Sequence, residues 1–206
     1  MLFCPDLIII MVIYLDTETT GLRPGNICQL SYIIQRGSAI KPKNFFFEVD
    51  FVEYGALSVH GFSVPLLKSL SGGKRFKHLI SEIEEDFDIA DLLIAHNTSF
   101  DFSFLRSEFE NAGRFFNSEK GFCTMKNSVS YCKLCRANHN GYKYPKLSEL
   151  CACLGIEDRD IQRFSEQTFE TECGYHDARF DTSALFLAVN KGIDKVESFS
   201  KIKKYL

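Results

Sequence analysis

YLDTETTGL, from Tyr14 to Leu22, closes the most apolar run of the chain and sets two carboxylates, Asp16 and Glu18, at its end. The run before it, Leu7 to Leu15, is rich in Ile, Val and Leu and nearly unbroken. That pattern suits a strand buried on both faces of a sheet. Alternate residues of a strand share a face, so Asp16 and Glu18 point into one site. Carboxylates held so close raise each other's pKa unless a cation sits between them. Hard divalent cations such as Mg²⁺ or Mn²⁺ take all-oxygen sites of this kind. A solvated Asp-x-Glu turn satisfies the tripeptide equally well, so the pair needs support from elsewhere in the chain. Thr19, Thr20 and Gly21 add a loop where the backbone can approach a ligand closely.

The composition is ordinary for a globular protein: 206 residues, 45% hydrophobic and 25% charged, enough for one domain with a sizeable core. A net charge of −3 supplies no overall basic field for nucleic acid, although a cluster of acids would mask a local basic patch in that sum. Eight cysteines without a secretion signal indicate free thiols and a cytoplasmic setting. The N-terminal apolar run is about nine residues long, follows Asp6 and lacks a basic flank, so it reads as a strand and not as a signal peptide or membrane anchor. Met11 lies inside it, and translation from there would leave Met1 to Ile10 as an upstream extension.

Downstream, Ile27 to Ile34 and Asn44 to Val52 have strand composition, with turns at Arg23 to Asn26 and Gly37 to Lys43. Three strands on short turns make an antiparallel meander. Ala56 to Leu70 reads as a loop leading into a small helix, and Ser71 to Lys74 is a plain turn without the spacing of a phosphate loop. Lys77 to Phe87 carries a helical face, and Asp91 to Ala95 is a short buried strand. A helix then runs from near Thr98 to Gly113, with Asp101 in its first turn beside the end of that strand. Lys120 to Ser148 holds six cations and no Asp or Glu, interleaved with Phe122, Tyr131, Tyr142 and Tyr144. Lys146 to Leu154 is helical, Glu157 to Thr171 is a surface loop with at most a short helix, Tyr175 to Val189 is a final amphipathic helix, and residues 191–206 form a basic tail with weak structure signals.

Tyr175 to Asp181, YHDARFD, supplies the missing partners. A helix starting near Asp177 places Asp181 one turn in, where it can face a cation, with His176 just ahead of the helix. A histidine, with an ordinary pKa near 6.5, is suited to take a proton from water near neutral pH. The three segments YLDTETTGL, AHNTSFDFSFL and YHDARFDTSAL resemble, in order, the three motifs of the DEDDh (DnaQ-like) 3′-5′ exonuclease family. The resemblance runs from about Met11 to Val189, with VHG at Val59 to Gly61 and LSELCACLGI at Leu147 to Ile156 also similar.

That resemblance implies an α/β, ribonuclease H-like exonuclease fold, a central mixed five-stranded sheet flanked by helices, in a single domain with its core at about 11–190. It implies two divalent cations, Mg²⁺ or Mn²⁺, held by Asp16, Glu18, Asp101 and Asp181, with His176 as general base. Asp16 bridges both ions, Glu18 and Asp181 serve the nucleophile side, and Asp101 acts on the second. Thr19, Gly21, Leu22, His60 and Asn97 match positions that contact substrate. The substrate implied is the 3′ end of single-stranded nucleic acid, DNA favoured over RNA, and the proofreading branch of the family brings contact with a DNA polymerase. Only about 25 residues follow Asp181, which favours a stand-alone repair, processing or scavenging enzyme. An exoribonuclease shares all five site residues, and a non-catalytic nucleic-acid-binding or polymerase-docking module shares the fold. The Lys120 to Lys146 segment is a candidate strand-tracking surface, its cations meeting phosphates and its aromatic faces meeting bases. Cys132 and Cys135, with His139, Cys123, Cys151 and Cys153 nearby, offer one C-x-x-C. Reduced thiols are expected there over structural zinc.

Overall fold

The computed structural model describes residues 10–137 and 140–206. Leu7, Ile8 and Ile9 of the first apolar run, the rest of the proposed upstream extension except Ile10, and His139 lie outside the described residues. Strand β1 spans Met11–Thr19, so it continues through both carboxylates and does not end before them. Its even residues Val12 and Tyr14 pack into one core and its odd residues Ile13 and Leu15 into another, which is why the run is apolar without alternation.

Around β1 the sheet is ordered β3-β2-β1-β4-β5, with β2 at Ile27–Arg36, β3 at Ala39–Phe46, β4 at Leu92–Ala95 and β5 at Gly121–Cys123. β2 and β3 are antiparallel to their neighbours, and β4 and β5 run parallel to β1 and to each other. This is the expected mixed five-stranded sheet. Helices α1 (Tyr54–His60), α2 (Val64–Ser71), α3 (Phe76–Ile89) and α4 (Thr98–Asn111) precede β5. The short α5 (Thr124–Asn127) and α6 (Val129–Cys132), then α7 (Leu147–Leu154), α8 (Asp158–Phe169) and α9 (Ala178–Gly192), follow it. α3 and α4 cover one face of the sheet; α7, α9 and the C-terminal segment cover the other. Among the described residues no helix is long and apolar enough to cross a membrane.

Four local expectations give way to the structure. β3 begins at Ala39, directly after a two-residue turn of Gly37 (φ +58°) and Ser38, and not at Asn44. Lys41, Pro42 and Lys43 look like turn residues, yet β3 is an edge strand, where proline and lysine belong. The phenylalanine-rich end leaves the sheet instead, with Phe47 and Val49 buried beneath α2 and α3. Tyr54–His60 is helical where a loop was expected. α8 stands where a surface loop with at most a short helix was expected; Ile161 and Ser165 are buried and Phe164 and Phe169 pack on the same core, a sparse apolar face in a segment that is otherwise polar. The basic tail is a 3₁₀-helix, Glu197–Tyr205, which buries Phe199 and Ile202. Those two residues are three apart, the repeat of a 3₁₀-helix and not of an α-helix.

Phe199 packs edge-on against Phe122 of β5 and touches no solvent. Phe199→Ala is expected to lower the unfolding free energy by about 3–5 kcal/mol. Urea denaturation of wild type and variant measures it, and a change below about 1 kcal/mol would show that the C-terminal segment is not part of the core.

Candidate active site

β1 brings its carboxylates to the open end of the sheet beside β2. Asp16 lies opposite Ser31 and Glu18 opposite Gln29. Residues directly opposite in an antiparallel pair share a face, so these four side chains occupy the α9 side. Thr17 points the other way, toward α4, and its hydroxyl donates to Asp101 Oδ1 at 2.9 Å. Asp101 and Asp181 each sit in the first turn of a helix, α4 and α9, where the helix dipole favours a carboxylate.

His176 precedes α9 in a left-handed conformation, φ +64°, uncommon outside glycine. Its backbone N–H donates to Asp181 Oδ2 at 3.0 Å, which fixes the turn between them. One ring nitrogen of His176 and one carboxylate oxygen each from Glu18 and Asp181 lie within 4.8 Å of one another. The fold therefore gathers residues that are 163 positions apart in the chain (18 to 181) at one point.

The electrostatics of that point are unfavourable for anions. Desolvation, then repulsion from Asp181, Asp101, Glu18 and Asp177, pushes Asp16 well above the usual carboxylate range. Desolvation, then repulsion from Asp181, Asp177 and Asp101, pushes Glu18 up to about 9. Asp101 rises to about 7 by desolvation, with the Thr17 hydrogen bond opposing it. Asp181 rises to about 7 by desolvation, opposed by the His176 N–H. Asp177 is the exception. Burial would raise it, but Arg179 and Gln29 hold it below its ordinary value. Its oxygens accept from Arg179 N at 3.0 Å, Nε at 2.8 Å and Nη2 at 2.6 Å, and from Gln29 Nε2 at 2.9 Å.

This contrast tests the fit of the site to divalent cations. Among the described residues Asp16 and Glu18 stand against other carboxylates with no cation among the charges that shift them, and the buried Ser31 hydroxyl opposite Asp16 lacks a partner. Buried acceptors without donors need a cation or solvent, and carboxylate oxygens are the ligands that Mg²⁺ and Mn²⁺ prefer. The residues present fit the group. Among the described residues the cysteines are free, and the one cluster of possible metal ligands is made of Glu18, His176 and Asp181.

The residues expected to contact substrate divide between two cavities. Thr19, Gly21, Leu22 and His60 line one of about 320 Å³ beside Glu18, and Leu22 is almost fully exposed there. His60 is also a brace: Nδ1 accepts from Phe62 N at 3.0 Å and Nε2 faces Thr19 O at 3.2 Å, leaving the ring neutral and, through burial, its pKa lowered. Asn97 lines a wider cleft of about 790 Å³ on the far side of His176 and Asp181, together with Tyr144, Lys146 and Tyr175. The basic segment is only partly free to follow a strand. Lys120 donates to the carbonyls of Asp88 and Ala90, Lys143 pairs with Glu149, and Tyr144 and Lys146 face the cleft.

Four further residues support the site beyond those singled out in the sequence as site residues. Thr17 was hidden because its side chain leaves the strand on the opposite face. Gln29, an amide inside an apolar strand, carried a visible signal. Asp177 resembled any N-cap acid. His96, buried between Thr124 Oγ1 (3.0 Å) and the Pro145 carbonyl (2.9 Å), ties β4's end to the cleft wall, and burial lowers its pKa to about 4.

A pH dependence follows. The unfolded chain ionises these acids near 4, whereas the folded chain keeps Asp101 and Asp181 protonated to about 7 and Glu18 to about 9. The folded state thus binds more protons across that window, and with chelator present its stability falls as pH rises from about 4 to about 9. Thermal melts at pH 5 and 8.5 read this directly. Mn²⁺ at pH 8.5 should recover the loss, and a melting temperature indifferent to both pH and metal is the contrary result.

Comparison with known proteins agrees with this geometry. The RNase_T exonuclease family model matches residues 13–160, which include Asp16, Glu18 and Asp101. The DNA polymerase III subunit epsilon of Rickettsia felis is 30% identical over 156 residues, covering 73% of this chain and 65% of that protein. That of Rickettsia prowazekii is 32% identical over 159 residues, with the same coverage. The chain thus spans a little under two thirds of the length of these relatives. Among solved structures, E. coli exonuclease I in complex with a dA16 oligonucleotide superposes with a TM-score of 0.73 at 16% identity, over 95% of this chain and 43% of that one. A zinc-ion-bound form of the E. coli exonuclease I complex with single-stranded DNA gives 0.72, at the same identity and coverage. At that identity the likeness is one of fold, and the fold is ribonuclease H-like. With the family model spanning most of its length, the chain belongs to the RNase_T exonuclease family.

Proposed function

We propose that this protein is a divalent-metal-dependent exonuclease that shortens single-stranded DNA from its 3′ end, releasing nucleoside 5′-monophosphates. The observation that carries the reading is the convergence of Glu18, His176 and Asp181 within 4.8 Å, beside Asp16 and Asp101. These are two strand acids, two helix acids and a histidine, brought together from β1, α4 and the start of α9. Support for DNA comes from the relatives, named as polymerase subunits, and from the exonuclease I complexes with deoxyoligonucleotides.

The roles follow from placement. Asp16, Glu18, Asp101 and Asp181 would hold two divalent cations, Mg²⁺ or Mn²⁺. Bound there, the cations would supply the acidity that readies an attacking water and the charge that steadies the departing 3′ oxygen. A His176 ring nitrogen lies beside the Glu18 and Asp181 carboxylates, placed to take the proton of that water as general base. Thr17 keeps Asp101 aimed at the site. The 320 Å³ cavity lined by Thr19, Gly21, Leu22 and His60 receives the terminal nucleotide. Asn97, Tyr144 and Lys146 in the wider cleft meet the strand behind it, a cation for phosphate and an aromatic face for a base. The name of the relatives extends the reading to a DNA polymerase as a protein partner, to be sought by co-purification.

A time course on 5′-labelled DNA and RNA strands of one sequence tests the reading. A ladder shortening from the 3′ end in Mg²⁺ or Mn²⁺, abolished by chelator and by Asp16→Asn, is expected, with DNA cut faster. RNA cut faster would make the protein an exoribonuclease, and metal-independent binding without cleavage would make it a binding module. His176→Gln should cost on the order of 10²–10⁴ in rate. Tyr144→Ala should instead raise KM for oligonucleotides longer than a dinucleotide, with little effect on kcat.

A further inference from the structure

Gln29 is a fully buried amide in β2, and each end of it is committed to the start of α9. Its Oε1 accepts from Ala178 N at 3.0 Å, and its Nε2 donates to Asp177 Oδ1 at 2.9 Å and to Asn44 Oδ1 of β3 at 2.9 Å. The orientation of this amide is set by chemistry, since a backbone N–H can only donate and an ionised Asp177 can only accept. One side chain therefore reaches across 149 residues of sequence and satisfies an orphan N–H of the helix start together with the residue that caps it.

The placement matters for what flanks those contacts. Asp177 and Ala178 lie between His176, in its left-handed conformation, and Asp181 one turn later. On the other side, Gln29 is the strand partner of Glu18. The acid on β1 and the base on the α9 turn are thus registered to each other through this amide. Asp177 Oδ1 also accepts from Arg179 N and Nε, so loss of the Gln29 donor leaves helix α9 capped while its first residues lose their side-chain link to β2.

We infer that Gln29 is a positioning residue for catalysis, which sets where the His176 ring and the Asp181 carboxylate stand relative to Glu18. The inference rests on the reading of His176 as the base. Gln29→Leu removes both contacts at nearly constant volume, and Gln29→Glu keeps the acceptor for Ala178 while setting a carboxylate against Asp177.

The test uses the full chain and three readouts: steady-state kinetics on single-stranded DNA in Mg²⁺, the melting temperature, and the ring proton resonances of His176, assigned by their loss in His176→Gln. For both variants a 10- to 100-fold fall in kcat is expected, with KM within about threefold of wild type. The melting temperature should stay above the assay temperature and the His176 resonances should shift. Unchanged kcat in folded variants overturns the inference, as does a fall in rate with unmoved His176 resonances. If neither variant folds, Gln29 is a stability residue only and the inference is likewise overturned. A wild type that cleaves no strand removes the exonuclease reading itself. The His176 resonances then still report whether Gln29 places the ring.

Discussion

Mutual repulsion among desolvated carboxylates is the constraint on which the rest of this structure depends. Asp16, Glu18, Asp101 and Asp181 all have pKa values raised by burial and, apart from the modest relief from Thr17 and the His176 N–H, none is neutralised by a protein cation. A chain left to minimise its own energy would separate them. They are held together by elements with other reasons to be where they are: β1 by burial on both faces, α4 and α9 by the two cores they cover. The apolar content of the sheet thus carries the electrostatic load of its end.

Not every acid near that point bears the load. Asp177 lies among the same groups and is as buried as some of them, yet Arg179 and Gln29 give its oxygens donors and its pKa falls. Glu108 is an intermediate case: buried in α4, it accepts from Ile27 N at 3.0 Å and Asn26 Nδ2 at 3.2 Å and anchors the turn that leads into β2. Hydrogen-bond donors, then, separate acids that build the scaffold from acids whose charge the protein leaves uncompensated. Proximity alone would have grouped Asp177 with the other four.

The legibility of the chain follows the same division. Asp16 and Glu18 could be read because a strand has a strict period of two and the apolar run before them is long. Asp101 and Asp181 could be read because helix starts carry cap residues and a fixed offset, and His176 because it precedes one of them. β3 was misplaced because edge strands are written in the residues of turns, α8 was underread because its few apolar residues sit in a mostly polar segment, and the C-terminal 3₁₀-helix was missed because its buried residues follow a period of three. β5 is three residues long, below what any periodicity can show. The site's supporting contacts, Thr17 to Asp101 and Gln29 to Asp177, join positions 84 and 148 apart, and local patterns carry no record of such distances.

The two helix starts at the site explain why those contacts cannot be left to the helices themselves. A helix dipole favours an acid in the first turn by roughly 0.3–1 kcal/mol, and it acts along the axis without fixing where the helix stands across the sheet. α9 packs on the sheet through apolar residues, among them Ala184, Leu185, Ala188 and Val189, with Phe186 edge-on against Tyr14 of β1, and such non-directional contacts set depth well and lateral register less sharply. Thr182, donating to the Ser31 carbonyl at 3.2 Å, and Gln29, gripping Ala178 and Asp177, are directional where the apolar contacts are not. Hydrogen bonds weaken steeply once their angles fail. A displacement that costs the apolar interface little therefore costs these two polar links much more. The hydrophobic core brings α9 to the sheet, and a few buried polar side chains decide where along it the histidine and its acid come to rest.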